Sequence, residues 1–292
     1  MQHKAGFVNI IGNPNVGKST LMNALVGERL SVITAKAQTT RHRILGIVTG
    51  EDYQIVYSDT PGILDPKYLL QKSMMVAVDS AMADADVFLL VTEMYEEFGR
   101  QEIIDKLNKC QIPVIVLINK IDMFTQTEVA AKIITWEGRI NNSVILPISA
   151  KEKFNIDGII QLILGRLPEA PPFYPPDELT DRSERFFVTE IVRANILEYY
   201  KKEVPYCTEV TVDTFEEDEK IVRIRTVIYV ARETQKIILI GENGRAMKRL
   251  GIAARKELET FFGKQVYLEM FVKVSKDWRD DQSQLKRFGY QL

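Results

Sequence analysis

Eight residues near the start of the chain, Gly12-Asn13-Pro14-Asn15-Val16-Gly17-Lys18-Ser19, fit the pattern G-x-x-x-x-G-K-[ST]. That spacing suits the holding of phosphate. Two glycines let the backbone wrap tightly, so that successive N–H groups point inward at an anion. Lys18 can reach the β- and γ-phosphates of a nucleotide, and the Ser19 hydroxyl can ligate Mg²⁺, with Thr20 beside it. Four other short strings carry matching chemistry. In Asn119-Lys120-Ile121-Asp122 the Asp122 carboxylate can accept two hydrogen bonds, from guanine N1–H and from the N2 amine. Adenine has an acceptor at N1 and no N2 amine, so a buried mismatch there costs kilocalories. In Asp59-Thr60-Pro61-Gly62, followed by Ile63, Asp59 is an acid for Mg²⁺ and the Gly62 N–H can bond a γ-phosphate, which lets the loop sense hydrolysis. Ala37-Gln38-Thr39-Thr40-Arg41 holds threonines able to ligate Mg²⁺ only while that phosphate is present, and Ser149-Ala150-Lys151 closes the series. Each string alone is weak; in this order, on strand ends behind a phosphate loop, they read as one guanine-nucleotide site.

Positioning such strings takes parallel strands alternating with helices. Residues 7–11, 44–48, 54–58, 87–91, 113–118 and 144–148 read as strands, several of them apolar throughout, as strands buried on both faces are. Between them 20–26, 68–83, 101–109, 127–139 and 156–167 read as helices. The alternation predicts an α/β fold with a mostly parallel sheet and ligands at the carboxyl ends of the strands. Five prolines within 167–176 then break the pattern and predict an extended spacer. Beyond it a helix is expected over 185–202 with Asp181 as its cap, then strands over 209–215 and 221–230 joined by the acidic tip Glu216-Glu217-Asp218-Glu219, and a final strand over 265–274.

The bulk properties exclude little. The 292 residues allow two domains, and 46% hydrophobic with 27% charged residues suits a soluble globular protein. A formal net charge of −2 gives no global field for nucleic acid, so any such surface must be local. One candidate is the loop Gly241-Glu242-Asn243-Gly244 after the apolar run ending at Ile240. A helix from Arg245 follows it, carrying Lys248, Arg249, Arg255 and Lys256 without an intervening acid. Cys110 and Cys207 lack metal-ligand spacing and suggest a reducing compartment. The first eleven residues are too short and polar for a signal peptide, and no run of 18 apolar residues predicts a membrane span. Peripheral membrane contact stays open.

With these strings in order, the chain resembles the translation-factor-related GTPases and, within them, the Era family, over nearly its whole length. Besides residues 12–19, the resemblance is carried by Gln38-Thr39-Thr40-Arg41-His42-Arg43, Asp59-Thr60-Pro61-Gly62-Ile63, Leu167-Pro168-Glu169-Ala170, Thr180-Asp181-Arg182-Ser183 and Val272-Lys273-Val274-Ser275-Lys276-Asp277-Trp278-Arg279. It implies a P-loop GTPase domain over 1–167, a proline-rich linker over 168–180, and an α+β type II K-homology RNA-binding domain over 181–292. It also implies that Thr40, just before the arginine, is the switch ligand for Mg²⁺ with Ser19 and Asp59, and that the 149–151 loop reads guanine O6 through its backbone. Ile63 stands where many small GTPases have a water-orienting glutamine, and His42 reads as a solvated loop residue. The resemblance therefore implies slow hydrolysis by Lys18, Thr40, Gly62 and Asn15, the last through a bound K⁺. Family members clamp RNA with the loop between two glycines. Ile240 to Lys256 would do this here, although Glu242-Asn243 departs from the basic residue usual in the loop. The implied partners are GTP and GDP, the 3′ region of 16S rRNA and the 30S ribosomal subunit. The protein is expected to be a cytoplasmic monomer, with peripheral inner-membrane association left open. Two other readings remain: an RNA-binding assembly factor that uses nucleotide as a structural ligand, and a membrane-associated regulatory GTPase.

Overall fold

The computed structural model describes residues 3–34 and 36–292. Its chain divides into two compact units. The first holds the described residues up to Ser31, Thr40–Asp65 and Met75–Asp181; the second holds the described residues of Val32–Thr39, Pro66–Met74 and Arg182–Leu292.

The first unit is built on six strands, β1 (Lys4–Ile11), β2 (Ile44–Thr49), β3 (Tyr53–Asp59), β4 (Val87–Glu93), β5 (Val114–Asn119) and β6 (Ser143–Pro147). They lie in the order β2-β3-β1-β4-β5-β6, and only the β2–β3 pair is antiparallel. This is the mostly parallel sheet expected. The central strands are apolar on both sides because each face is covered. On one side Val8, Ile10, Leu89 and Leu117 pack with residues of α1 (Lys18–Val26) and α5 (Ile156–Leu164). On the other, Ile11, Leu90, Val116 and Ile118 pack with α3 (Gln101–Lys109), α4 (Gln126–Trp136) and the later part of α2 (Leu69–Ala83). Thr125 and Glu128 close a capping box that fixes where α4 begins.

The proline-rich stretch expected as a spacer is extended but is not free. It runs along the first unit as a strap. Ala170 N donates to His3 O (3.1 Å), Ile47 N to Leu179 O (2.9 Å), and the Phe7 and Phe173 rings sit 5.3 Å apart. Prolines cannot donate along such a path, so a side chain takes over. Gln54, fully enclosed, accepts from Phe173 N (2.7 Å) and Tyr174 N (3.0 Å) and donates to Tyr174 O (2.9 Å). Gln54→Ala is expected to lower unfolding stability by about 1–3 kcal/mol, because it strands two backbone donors. Urea denaturation followed by fluorescence measures this, and an unchanged midpoint would show that the strap contributes nothing.

The second unit contains α6 (Glu184–Tyr199), β7 (Thr208–Glu217), β8 (Ile221–Val230), α7 (Glu233–Ile240), α8 (Arg245–Phe262), β9 (Gln265–Val274) and α9 (Gln282–Arg287). β8 is central, antiparallel to β7 and parallel to β9. Val192, Ile196, Val210, Ile228, Leu239, Leu250 and Ala254 form its main core. Helix α6 departs from expectation at both ends. Its N-cap is Ser183, whereas Asp181 instead accepts a hydrogen bond from Leu45 N (3.1 Å) within the first unit. It ends at Tyr199 because Tyr200 turns extended and buries its ring, with its hydroxyl on Leu239 O (2.7 Å). The acidic hairpin tip is exposed, as a solvated tip should be, with Glu217 bonded to Lys264 (2.5 Å) and Asp218 to Arg223.

Candidate nucleotide site and RNA interface

The phosphate loop runs from the end of β1 into α1. A Cβ on Gly12 would lie 2.3 Å from Val91 O, and one on Gly17 would lie 2.3 Å from Asn119 Nδ2, so both positions require glycine. Gly17 and Asn15 also have positive φ (97° and 66°). No side chain caps the start of α1 at Lys18, which leaves its first N–H groups for an anion. Lys18 is buried, and its ammonium donates to Gly12 O (3.2 Å) and Asn13 O (2.8 Å), folded back over the loop. Burial pulls its pKa down to about 8, against the opposing charges of Asp59 and Glu96.

Asp59, at the end of β3, is fully enclosed. Its Oδ2 accepts from Ser19 Oγ (2.8 Å), Ser31 Oγ (2.8 Å) and Thr40 Oγ1 (3.5 Å), and the Ser19 and Thr40 hydroxyls lie 3.0 Å apart. Asp59 Oδ1 has no hydrogen-bond partner among the described residues. Burial pushes this carboxyl above the usual range even though Lys18 and the three hydroxyls oppose it. A buried carboxylate with one oxygen lacking a donor and hydroxyls gathered at the other fits a hard divalent cation. Thr39 points elsewhere, bonding Thr34 (2.6 Å) and Lys36 O (2.7 Å) in the second unit.

The loop after Asp59 is packed against the phosphate loop. Thr60 Oγ1 donates to Ile10 O (2.8 Å), Ile63 N donates to Gly12 O (3.1 Å), and Pro61 is buried. A Cβ on Gly62 would come 2.7 Å from both Pro14 N and Pro14 Cα. The Ile63 side chain is buried in the apolar core with Ile11 and Val78. Among the described residues no three His, Cys, Asp or Glu side chains gather as a metal cluster, so the candidate cation site is one carboxylate with hydroxyls.

At the next strand ends, Asn119 is buried and acts as a staple. Its Nδ2 donates to Val16 O (2.8 Å) and its Oδ1 accepts from Ala150 N (3.0 Å). Lys120, with φ 65°, sends its ammonium to Asn15 O (2.7 Å) and to the Glu93 carboxylate. Ile121 N donates to Ile148 O (3.3 Å), which leaves the exposed Asp122 beside Ser149, whose hydroxyl donates to Asp122 Oδ1 (2.7 Å). Ser149 and Ala150 are buried, and Lys151 is exposed next to Glu152. Thr20 lies in the first turn of α1.

Several supports have no signal in any single string. Asn13 Nδ2 donates to Glu96 (2.5 Å), Arg100 Nε donates to Asn13 Oδ1 (2.9 Å), and Thr92 Oγ1 donates to the other Glu96 oxygen (2.7 Å). These partners lie on β4 or beyond it, far from Asn13 in sequence. Ser31 and Asn23 are likewise outside every string that the sequence singled out.

In the second unit, Gly241 (φ 70°) follows α7 and a Cβ there would meet Ala246 Cβ at 2.6 Å. Glu242, Asn243 and Gly244 form a short 3-10 turn with both non-glycine side chains exposed. Gly244 (φ 72°) precedes α8, whose N-terminus has no side-chain cap. Ile240 is half-buried at the end of α7. Arg245, Lys248, Arg249, Arg255 and Lys256 are all exposed, opposite the buried Leu250, Ala254 and Leu258. Arg249 and Lys256 also line a cavity of about 580 Å³ with Tyr199 of α6, and Arg255 reaches Glu259 at 3.8 Å. An uncapped helix start behind two glycines, with cations along the helix, can hold a phosphodiester backbone.

A family model described as 50S ribosome-binding GTPase matches residues 7–120, and a KH-domain model matches residues 203–279. GTPase Era of Staphylococcus epidermidis (strain ATCC 35984 / DSM 28319 / BCRC 17069 / CCUG 31568 / BM 3577 / RP62A) is 40% identical over 292 residues, covering 99% of this chain and 98% of the relative. GTPase Era of Staphylococcus haemolyticus (strain JCSC1435) matches with the same identity and coverage. Two solved structures are similar throughout, each 38% identical and covering 99% of this chain and 100% of the other. One is the crystal structure of Era in complex with MgGDPNP and nucleotides 1506–1542 of 16S ribosomal RNA, with a TM-score of 0.91. The other is a point variant of Aquifex aeolicus Era bound to GDP and AlF4⁻, with a TM-score of 0.92.

Proposed function

The chain belongs to the Era family of GTPases, and from that membership we propose that it is a GTP-hydrolysing switch that binds the 3′ region of 16S rRNA during assembly of the 30S subunit. The observation that carries the nucleotide half is Asp59, enclosed, with Oδ1 unpartnered among the described residues and the hydroxyls of Ser19 and Thr40 at its other oxygen. Gly12 to Thr20 would wrap the phosphates, Asp122 would read guanine, and the 149–151 loop would back the base. Ser19, Thr40 and Asp59 would hold Mg²⁺, which when bound supplies charge neutralisation at the β- and γ-oxygens.

The residues divide the hydrolytic work. Lys18 leaves its two loop carbonyls and places its ammonium where charge builds on the γ-phosphate. The Gly62 N–H, held close to Pro14, adds a backbone donor. Ile63 cannot orient water from inside the core, so stabilisation rests on these groups and on the exposed Asn15, for which a K⁺ ion is the proposed partner. In the second unit, Gly241 and Gly244 admit the RNA backbone to the start of α8, and Arg245, Lys248, Arg249, Arg255 and Lys256 supply charge. The proposed setting is the cytoplasm; no helix among the described residues is long and apolar enough to cross a membrane.

One experiment tests this reading. The purified chain is expected to hydrolyse GTP slowly, faster in potassium than in sodium salts, and to bind the 16S 3′ segment more tightly with a GTP analogue than with GDP. Equal rates in the two salts remove the role of Asn15. Equal RNA affinity in the two nucleotide states removes the switch.

A further inference from the structure

Three hydroxyls converge on Asp59 Oδ2, and only two of them belong to residues assigned to the cation. The third is Ser31. Its side chain is fully enclosed, so no bulk water competes for its proton. Its main chain is gripped from both ends by one side chain: Ser31 N donates to Asn23 Oδ1 (2.8 Å) and Asn23 Nδ2 donates to Ser31 O (2.7 Å). Asn23 is on α1, one turn beyond Ser19, so the two project along the same side of the helix. The helix that presents Ser19 therefore also fixes Ser31, and Ser31 in turn fixes Asp59.

We propose that Ser31, clamped by Asn23, is the positioning residue that keeps the Asp59 carboxylate aimed at its divalent cation in both nucleotide states. The inference rests on the reading of Ser19, Thr40 and Asp59 as the Mg²⁺ set. Ser19 and Thr40 must also turn an oxygen lone pair toward a bound cation, so the orientation of each hydroxyl is shared between the cation and Asp59. Ser31 has no such second task. Thr40 is expected to engage only while the γ-phosphate is present, whereas the Asn23 clamp ties Ser31 to the rigid α1. The hydrogen bond from Ser31 thus leaves Asp59 Oδ2 satisfied and Oδ1 open, whichever nucleotide is bound.

The test uses the full chain loaded with GDP or with a non-hydrolysable GTP analogue, titrated with Mn²⁺ and read by electron paramagnetic resonance. Ser31→Ala is expected to raise the half-saturating Mn²⁺ concentration about tenfold or more with both nucleotides, and Asn23→Ala to shift it in the same direction. Nucleotide affinity in excess chelator should stay at the wild-type value. Thr40→Ala should shift only the GTP-analogue complex. Asp59→Ala serves as the reference for the site itself. If Asp59→Ala shifts the titration and neither Ser31→Ala nor Asn23→Ala does, the inference is wrong and the cation site stands. If Asp59→Ala leaves it unshifted, the cation site and the inference fall together. A loss of nucleotide affinity that is equal with and without cation would reduce Ser31 to a packing role and overturn the proposal. Should Ser31→Ala fail to fold, Asn23→Ala decides alone, because it loosens the clamp without touching the carboxylate.

Discussion

Asp122→Asn should lose guanine nucleotides and gain xanthine nucleotides. Guanine presents two donors side by side, N1–H and the N2 amine, and a carboxylate accepts both. Xanthine carries a carbonyl in place of the amine, so the amide of an asparagine, with one donor and one acceptor, matches it. Two hydrogen bonds to a charged group are worth about 1.5–3 kcal/mol each, and the amide keeps at most one of them in neutral form, which puts the loss of GTP affinity at up to about 10²–10⁴-fold. The variant should keep its local structure, because an amide oxygen can still accept the Ser149 hydroxyl that now bonds Asp122 Oδ1 at 2.7 Å. Competition titrations with fluorescent GTP and XTP give the answer. GTP affinity within about threefold of the parent would mean that the base is read elsewhere.

Gly244→Asp should remove RNA binding while sparing the fold. The position precedes an α8 N-terminus that has no side-chain cap, and a Cβ there meets nothing within 4 Å. The substituted side chain therefore fits, at a cost of about 1 kcal/mol for a positive φ that aspartate tolerates better than most residues. Its charge would occupy the end of the helix where a phosphate must approach. Losing a charge-assisted phosphate contact of about 1.5–3 kcal/mol corresponds to a fall of about 10–100-fold in RNA affinity. Filter binding with the 16S 3′ segment measures it, and circular dichroism checks that α8 persists. RNA affinity equal to the parent's would dismiss the glycine loop as the clamp.

The fold was legible in the sequence for a simple reason. Strands such as β4 and β5 are apolar on both faces, and helical stretches lie between the strands, so the alternation announced a parallel sheet covered on both sides. The strings gathered around Lys18 were visible because each is contiguous and sits at a strand end. What escaped was everything that depends on side chains meeting across the fold. Ser31 is an ordinary residue in a featureless stretch until Asn23 and Asp59 are placed on either side of it. Glu96 and Arg100 read as loop charges, yet they brace Asn13 from the far side of the phosphate loop. Asp181 has the right residue type to cap a helix, but Ser183 sits closer to the first turn and Asp181 is drawn to Leu45 N. Local propensity named a plausible cap, and tertiary structure assigned the aspartate elsewhere.

The proline-rich strap has a consequence for where this chain can be cut. A stop after Leu167, where the last helix of the first unit has ended, would look natural from the succession of strands and helices. It would also leave Gln54 with no partner at Phe173 and Tyr174, remove the acceptor for Ile47 N at Leu179, and uncover Phe7. The excised piece would expose an apolar edge and an unsatisfied amide, both of which invite self-association. A piece that ends at Asp181 keeps all of these closed, including the bond from Leu45 N. The first unit thus extends past its final helix by a proline-studded ribbon, and a cut that keeps these bonds falls beyond it.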